Sequence, residues 1–258
     1  MAAPIEKAAA ILRDSSRVLG FTGAGISTES GIPDFRSPGG IWTKYDPRDF
    51  TYQKYVASHE NRKMYWQRSG EFYEPLLLAR PNAGHEAFAR LEKMGKLLAL
   101  VTQNIDGLHQ RAGCLEEKVI EIHGTVRTGS CLQCGTRWPS ADIRERVRAG
   151  GPGVKDGVPY CVDCGGVIKT DTISFGQQMP MDKLSRSFDL AGSCDACLVV
   201  GSSLVVMPAG EIPLAAKQAG AALIIVNREE TPLDALADVV IHEAAGPALQ
   251  AMLDRMLS

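Results

Sequence analysis

The chain has 258 residues, 45% of them hydrophobic, and a formal net charge of -2. That length buries one sizeable core or a large and a small one, and the near-neutral charge excludes a field that draws the protein to nucleic acid or an anionic membrane. No uninterrupted apolar run approaches membrane-spanning length, and MAAPIEKAAAILRD carries Glu6 and Asp14 where a signal peptide needs a basic start and an apolar stretch, so a cytoplasmic chain is expected, with neither nucleic acid nor membrane as partner.

In chain order, PIEKAAAILRD spaces Ile5, Ala8, Ile11 and Leu12 as a helix, and RVLGFTG reads as a short buried strand running into glycines. The strand delivers TGAGIS, residues 22–27, whose Gly23, Ala24 and Gly25 suit a phosphate cradle: glycines let backbone amides approach closely, and the following helix end adds its positive dipole. The same residues also suit a plain strand-to-helix turn. Thr28 stands where a dehydrogenase fingerprint has its third glycine, so that match fails. ESGIPDFRSPGGIW, residues 29–42, is too punctuated for helix or strand. Around Asp34 it reads as a loop that closes over a ligand, with Phe35 shielding a reactive carbon and Arg36 available for phosphate, or as a structural Ω-loop.

Beyond the aromatic, charged stretch 37–81, NAGHEAFARLEKMG has helical spacing and KLLALVT is a buried strand. It runs into QNIDGLHQ, where turn residues would suffice. Polar groups at the carboxyl end of a buried parallel strand face a ligand in open α/β sheets, which makes Gln103, Asn104 and Asp106 candidates; Asp106 is alternatively the cap of a helix starting at Gly107. The next strand, VIEIH, ends at His123, the side chain best suited to accept a proton near neutral pH, or else a hydrogen-bonded strand end. These two strands are expected to be neighbours, so that their carboxyl ends converge on one crevice.

Four of the seven cysteines form two Cys-x-x-Cys-Gly knuckles, Cys131 with Cys134 and Cys161 with Cys164. In a chain without a secretion signal this argues for zinc before disulfides, and four protein ligands leave no open position, so the zinc is structural. Cys197, in SCDACLVVG, leads into a buried strand and reads as a small core residue. After ACLVV, the strand end GSSLVVMP offers Ser202 and Ser203 to ribose or phosphate, and IIVNREE offers Asn227 to adenosine; each is alternatively a cap. Together the polar strand ends argue for an extended nucleotide. With AGEIPLAAKQAG as a helix and DVVIHE as a last strand, the alternation predicts an α/β fold: a Rossmann-like, doubly wound parallel sheet from residues 1–36, 82–126 and 171–258. A smaller lobe is expected from a helical insertion, 37–81, and a zinc-ribbon module, 127–170.

The ordered set GAGIS, GIPDFRSPGGIW, TQNIDGLH, IHG, two CxxC pairs and GSSLVV resembles the sirtuins, NAD-dependent protein lysine deacylases, through nearly the whole chain. The resemblance implies that NAD lies in a crevice between the lobes, against Gly23, Ala24, Gly25, Asp34, Phe35, Arg36, Gly201, Ser202, Ser203 and Asn227. Gln103, Asn104, Ile105 and Asp106 then face the nicotinamide and its ribose, and Asn104, Asp106 and His123 act in catalysis, His123 as the base that deprotonates a ribose hydroxyl. It implies an acyl-lysine protein or peptide entering between SFGQQ and SSLVVMP, past Phe175, Gly176 and Val205, with nicotinamide and O-acyl-ADP-ribose as products. A protein ADP-ribosyltransferase using the same NAD site is the alternative. TYQKYVASHENRKMYWQRS resembles the class II branch, and Tyr65 with Arg68 matches the Tyr-x-x-Arg spacing that binds acidic acyl groups in class III. Gln177 stands where many relatives have glutamate. One structural zinc, at Cys131, Cys134, Cys161 and Cys164, and a monomeric chain complete the expectation.

Overall fold

The computed structural model describes residues 2–257; Met1 and Ser258, the outermost residues of the segments assigned to the large domain, lie outside the described residues. The chain runs α1 (Ala2–Asp14), β1 (Val18–Thr22), a 3-10 turn (Ala24–Ser30), α2 (Tyr52–Ala57), α3 (His59–Leu78), α4 (Ala83–Lys93) and β2 (Leu97–Thr102). It continues with α5 (Leu108–Arg111), β3 (Val119–Glu121), β4 (Gly124–Cys131), β5 (Arg137–Pro139), α6 (Ser140–Arg148), β6 (Val154–Lys155), β7 (Val158–Pro159) and β8 (Ile168–Thr172). The last third holds α7 (Met181–Ala191), β9 (Ala196–Val200), α8 (Glu211–Gln218), β10 (Ala222–Val226), β11 (Val239–Ile241) and α9 (Ala245–Leu257).

Six strands form one parallel sheet in the order β11-β10-β9-β1-β2-β3. From central β1 the chain winds outward through β2 and β3, then returns to the other side of β1 for β9, β10 and β11. That is the doubly wound Rossmann order, and its reversal between β1 and β9 opens a crevice at their carboxyl ends. Apolar residues alternate between two cores. Val18, Leu198, Val200, Ile224 and Val226 pack with α1, α4 and α9 residues such as Leu12, Phe88 and Leu249. Leu19, Phe21, Val199, Leu223 and Ile225 pack on the opposite face with Leu184 of α7 and Ile212 and Ala216 of α8. Cys197 is fully buried there, as its strand position predicted. Both faces are covered, which is why these strands read as unbroken apolar runs.

A third core joins the two interruptions. Tyr55 and Trp66 of the helical insertion pack with Cys131, Ile143, Val158, Cys161 and Ile168 of the cysteine-bearing segment. Antiparallel β5-β4-β8 is its backbone. Because β4 starts at Gly124, immediately after His123, the small lobe grows directly out of the carboxyl end of β3. None of the described helices is long and apolar enough to cross a membrane.

Candidate active site

The turns after β1 and β9 interlock backbone to backbone. Gly23 N–H donates to Val200 O at 3.1 Å and Gly25 N–H to Gly201 O at 2.8 Å. A Cβ on Gly25 would fall 2.7 Å from Gly201 Cα, and one on Gly201, whose φ is +62°, would fall 2.2 Å from Ile26 N. The glycines are therefore required where the two chain segments touch, a different reason from the expected approach to phosphate: the Gly23 and Gly25 amides are already taken. Ala24, at the head of the 3-10 turn, has an N–H without a helical partner by position and lines the crevice beside them.

Gln103, Asn104 and Asp106 leave β2 into the same crevice. Gln103 Nε2 donates to Ser202 Oγ at 2.7 Å, tying the β2 end to the β9 end. Asn104 is buried, and its Nδ2 donates to Gly23 O and to Ser27 Oγ, both at 3.1 Å, which leaves its carbonyl oxygen for the cavity that it lines. Asp106 lines the cavity, and it is not the helix cap that the sequence offered as the alternative, since the N-cap of α5 is Gly107: Oδ1 accepts from Leu108 N–H at 2.9 Å in the turn that leads into α5, and Oδ2 accepts from the Ser27 hydroxyl at 2.8 Å. Burial raises its pKa, and the two donated hydrogen bonds oppose that rise.

Ser27, which lines the cavity, and His85 behind it complete this hydrogen-bonded cluster, and neither stands out in the sequence. With its proton given to Asp106, Ser27 Oγ accepts from Asn104, and His85 Nε2 at 3.3 Å must also donate to it. This agrees with His85 Nδ1, which accepts the Asn82 N–H at 3.2 Å in a capping box at the start of α4. The N-x-x-H pattern at that helix start was the available signal. His109 lies behind, its ring centroid 4.9 Å from that of His85. Thr22 Oγ1 donates to Thr102 Oγ1, so His109 Nε2 donates to Thr22, and Nδ1 is buried without a partner.

His123 sits beside this cluster because β2 and β3 are neighbours, as expected. Its Nδ1 lies 3.1 Å from Gln103 O. A carbonyl only accepts, so Nδ1 carries the hydrogen and Nε2 keeps its lone pair, on a residue that lines the cavity. Burial lowers the pKa below the ordinary histidine value, with the Gln103 bond opposing, so the ring is neutral at pH 7. It is set up to take a proton.

One cavity of about 930 Å³ joins these groups to the loop 34–42. Asp34 braces that loop by accepting from the amides of Arg36 and Ser37, at 3.0 and 2.8 Å, while Ile41 N–H and Trp42 N–H bond back to the carbonyls of Asp34 and Phe35. Phe35 packs on Trp42 at 5.3 Å and Trp42 on Phe175 at 5.9 Å, an aromatic row along one wall. Ile105, Arg36, Gly201, Ser202, Ser203, Asn227, Tyr65 and Gly176 also line the cavity. Arg68 and Val205 are not among its lining residues. Arg68 Nη1 pairs with Asp49 at 2.8 Å and its guanidinium lies against the Tyr45 and Phe50 rings, so the chain's own carboxylate already occupies the group expected to bind an acyl carboxylate. Val205 is half exposed on the rim, with Val206 and Met207 on the wall. Gln177 closes its own turn by accepting from Ser174 N–H at 3.2 Å.

The four knuckle cysteines meet. Cys131 and Cys164 sulfurs are 3.5 Å apart, Cys134 and Cys161 sulfurs 3.7 Å, and all four lie within 4.8 Å of one another. Tetrahedral zinc with Zn–S of about 2.3 Å sets its sulfurs about 3.8 Å apart, so the donor set fits one zinc ion with every position filled. Gly135 and Gly165, at φ +76° and +72°, make the matching turns, each N–H returning to the carbonyl of the first cysteine of its knuckle.

The Sir2 family model matches residues 23–208. The chain is 44% identical over 245 residues to NAD-dependent protein deacetylase 1 of Bradyrhizobium diazoefficiens, covering 95% of this chain and 93% of that one. It is also 44% identical to the NAD-dependent protein deacetylase of Rhodopseudomonas palustris, over 95% and 94%. A Sir2 structure with a p53 peptide and NAD+ superposes with a TM-score of 0.86 at 36% identity, covering 96% of this chain and 97% of that one. One with deacetylated p53 peptide and 3'-O-acetyl ADP-ribose superposes at 0.89, with 36% identity and 97% of both chains covered. With the doubly wound sheet, the four-cysteine cluster and the converging strand ends in place, this chain belongs to the Sir2 family.

Proposed function

We propose that this protein removes acyl groups from protein lysine at the expense of NAD, releasing nicotinamide, free lysine and O-acyl-ADP-ribose. The carrying observation is His123, a neutral imidazole with Nδ1 held by Gln103 O and Nε2 unengaged, in the same cavity as buried Asn104 and Asp106. NAD, when bound, would supply the ribose carbon that exchanges nicotinamide for the acyl oxygen and the ribose hydroxyl that ends up carrying the acyl group. Asp106 and the Ile105 backbone hold the nicotinamide end, Asn104 presents its carbonyl oxygen to the ribose, and Ala24, Arg36, Ser202, Ser203 and Asn227 line the path for phosphates and adenosine. His123 Nε2 accepts the ribose hydroxyl proton once nicotinamide has left. Phe35 and the aromatic row keep water from the reacting carbon. Phe175, Gly176 and Val205 flank the entry of the acyl-lysine strand. That a base is poised at all favours deacylation over ADP-ribosyl transfer to protein, whose transfer step does not need a second hydroxyl activated.

The same reading gives the four cysteines one structural zinc and the protein a cytoplasmic location, in keeping with seven cysteines that are all free of disulfides. Incubation with NAD and a panel of acyl-lysine peptides, following nicotinamide and acyl-ADP-ribose together, tests the proposal. No nicotinamide release with any peptide sinks it; release with ADP-ribose attached to protein supports the transferase instead.

A further inference from the structure

The loop that carries Asp106 is held from outside by neighbouring residues of β4. Val126 N–H donates to Ile105 O at 3.0 Å. Arg127 lies across Gly107, the N-cap of α5: a Cβ on Gly107 would fall 2.9 Å from Arg127 Cδ and 3.2 Å from its Nε. The arginine stem therefore rests on bare backbone one residue after Asp106, and only glycine leaves it that room. Ile105, Asp106 and Val126 line the cavity here, whereas Arg127 is not among its lining residues. Whatever Arg127 does to a ligand it does through the loop.

A long side chain braces a loop only if its head is fixed, and this head is fixed. Nη2 donates to Glu116 Oε1 at 2.7 Å and to Glu121 Oε2 at 3.0 Å, Nη1 reaches Glu116 Oε2 at 3.5 Å, and Nε donates to Thr125 Oγ1 at 3.1 Å. Glu116 is exposed, so its pair with Arg127 adds little by itself. Glu121 is buried, its Oε1 has no partner, and Lys183 reaches only its backbone oxygen, at 3.2 Å. Arg127 is thus the one cation bonded to this carboxylate among the described residues. Glu121 closes β3 opposite Thr102 of β2, and His123 follows two residues later. One side chain therefore links the strand end of His123 to the loop of Asp106, from a strand that runs on to the knuckle cysteine Cys131. We infer that Arg127 is a positioning residue: pinned by Glu121, it holds Gly107, and with it Asp106, in the arrangement that receives nicotinamide. The inference rests on the deacylase reading above for the identity of that ligand, and it gives the small lobe a direct hold on the pocket.

The competing explanation is that Arg127 only neutralises Glu121, since a buried carboxylate stripped of its partner destabilises a fold whatever lies nearby. The inhibition constant of nicotinamide and the KM of an acetyl-lysine peptide, measured on the zinc-loaded protein, separate the two. Arg127→Met should raise the nicotinamide constant by about ten- to a hundredfold, the size of effect that a small misplacement of a binding group produces, and leave the peptide KM unchanged. Arg127→Lys, which keeps a stem on Gly107 and a charge for Glu121, should retain most of the wild-type affinity. The double variant Arg127→Met, Glu121→Gln buries no unpaired charge, so it should recover the wild-type Tm but not the nicotinamide constant. Recovery of both overturns the inference, as does a loss that falls equally on nicotinamide and peptide. Amide hydrogen exchange reads the brace without the reaction: Leu108 N–H, bonded to Asp106 Oδ1, should exchange about tenfold faster in folded Arg127→Met. Unchanged protection there overturns the inference whatever the kinetics show. A wild type that releases no nicotinamide, with Leu108 still deprotected in the variant, removes the deacylase reading and leaves the brace standing.

Discussion

Acid should weaken this fold through His85, and the structure sets the size of the effect. His85 is fully buried, with Nδ1 accepting from Asn82 N–H and Nε2 donating to Ser27, so a second proton has no acceptor and would break the α4 cap. Burial holds its pKa down to about 4, against an ordinary 6.5. Above pH 6.5 the residue is neutral in both folded and unfolded chains and the stability is fully present. Below it the unfolded chain takes up a proton that the folded one refuses, so stability falls by about 1.4 kcal/mol per pH unit until the folded pKa is reached, about 3 kcal/mol in all. That is a large share of the roughly 5–15 kcal/mol that holds a domain together, and corresponds to a Tm drop on the order of 10 °C. Urea unfolding of the wild type and His85→Gln between pH 7 and 4.5 measures it. The variant should be less stable at pH 7 yet lose stability less steeply, by about one proton; His109 and His123, whose pKa values burial also lowers, keep the remaining slope above zero. Parallel pH dependences in the two proteins would refute the reasoning.

His123→Ala should lower deacylation by about 10²–10⁴, the contribution of a positioned base, while exchange of labelled nicotinamide into NAD falls much less; in the wild type, activity should fade only below pH 6.5, where Nε2 acquires its proton. Asp106→Asn sets an amide against Ser27, which already accepts from Asn104 and His85, so cleavage and exchange should drop together; a mutant that loses deacylation alone would contradict this. Removing zinc with a chelator should unfold the small lobe and abolish activity indirectly, because binding free energy in such a site is also folding free energy; full activity after verified removal would count against the four-cysteine site. Arg68→Met should affect acidic and neutral acyl substrates alike, since its guanidinium is held by Asp49; a loss confined to acidic chains would return Arg68 to the acyl pocket.

Much of the site was legible because strand ends announce themselves. An apolar run that stops in Gln, Asn and Asp, or in His, points to a ligand wherever the sheet is parallel, and β2 and β3 carry those endings side by side. The knuckles were legible because two short, fixed spacings confine four sulfurs. Ser27 and His85 were missed since their roles consist of hydrogen bonds between residues 58 positions apart, and a capping histidine looks like any helical polar residue.

The sequence by itself determined the six apolar strands, their alternation with helices, the polar residues at their ends and the metal-binding cysteines, all of which depend on local periodicity and spacing. Only the tertiary structure decided what the long side chains do. A spacing argument placed Arg68 at the acyl group, but Asp49 pairs with it, whereas Arg144, nearly eighty residues later and with no motif around it, is buried on the cavity wall with no ion pair among the described residues. Whether a charge is available to a ligand depends on which neighbours remain unpaired once the lobes have packed, and that is a property of the fold and not of any stretch of chain.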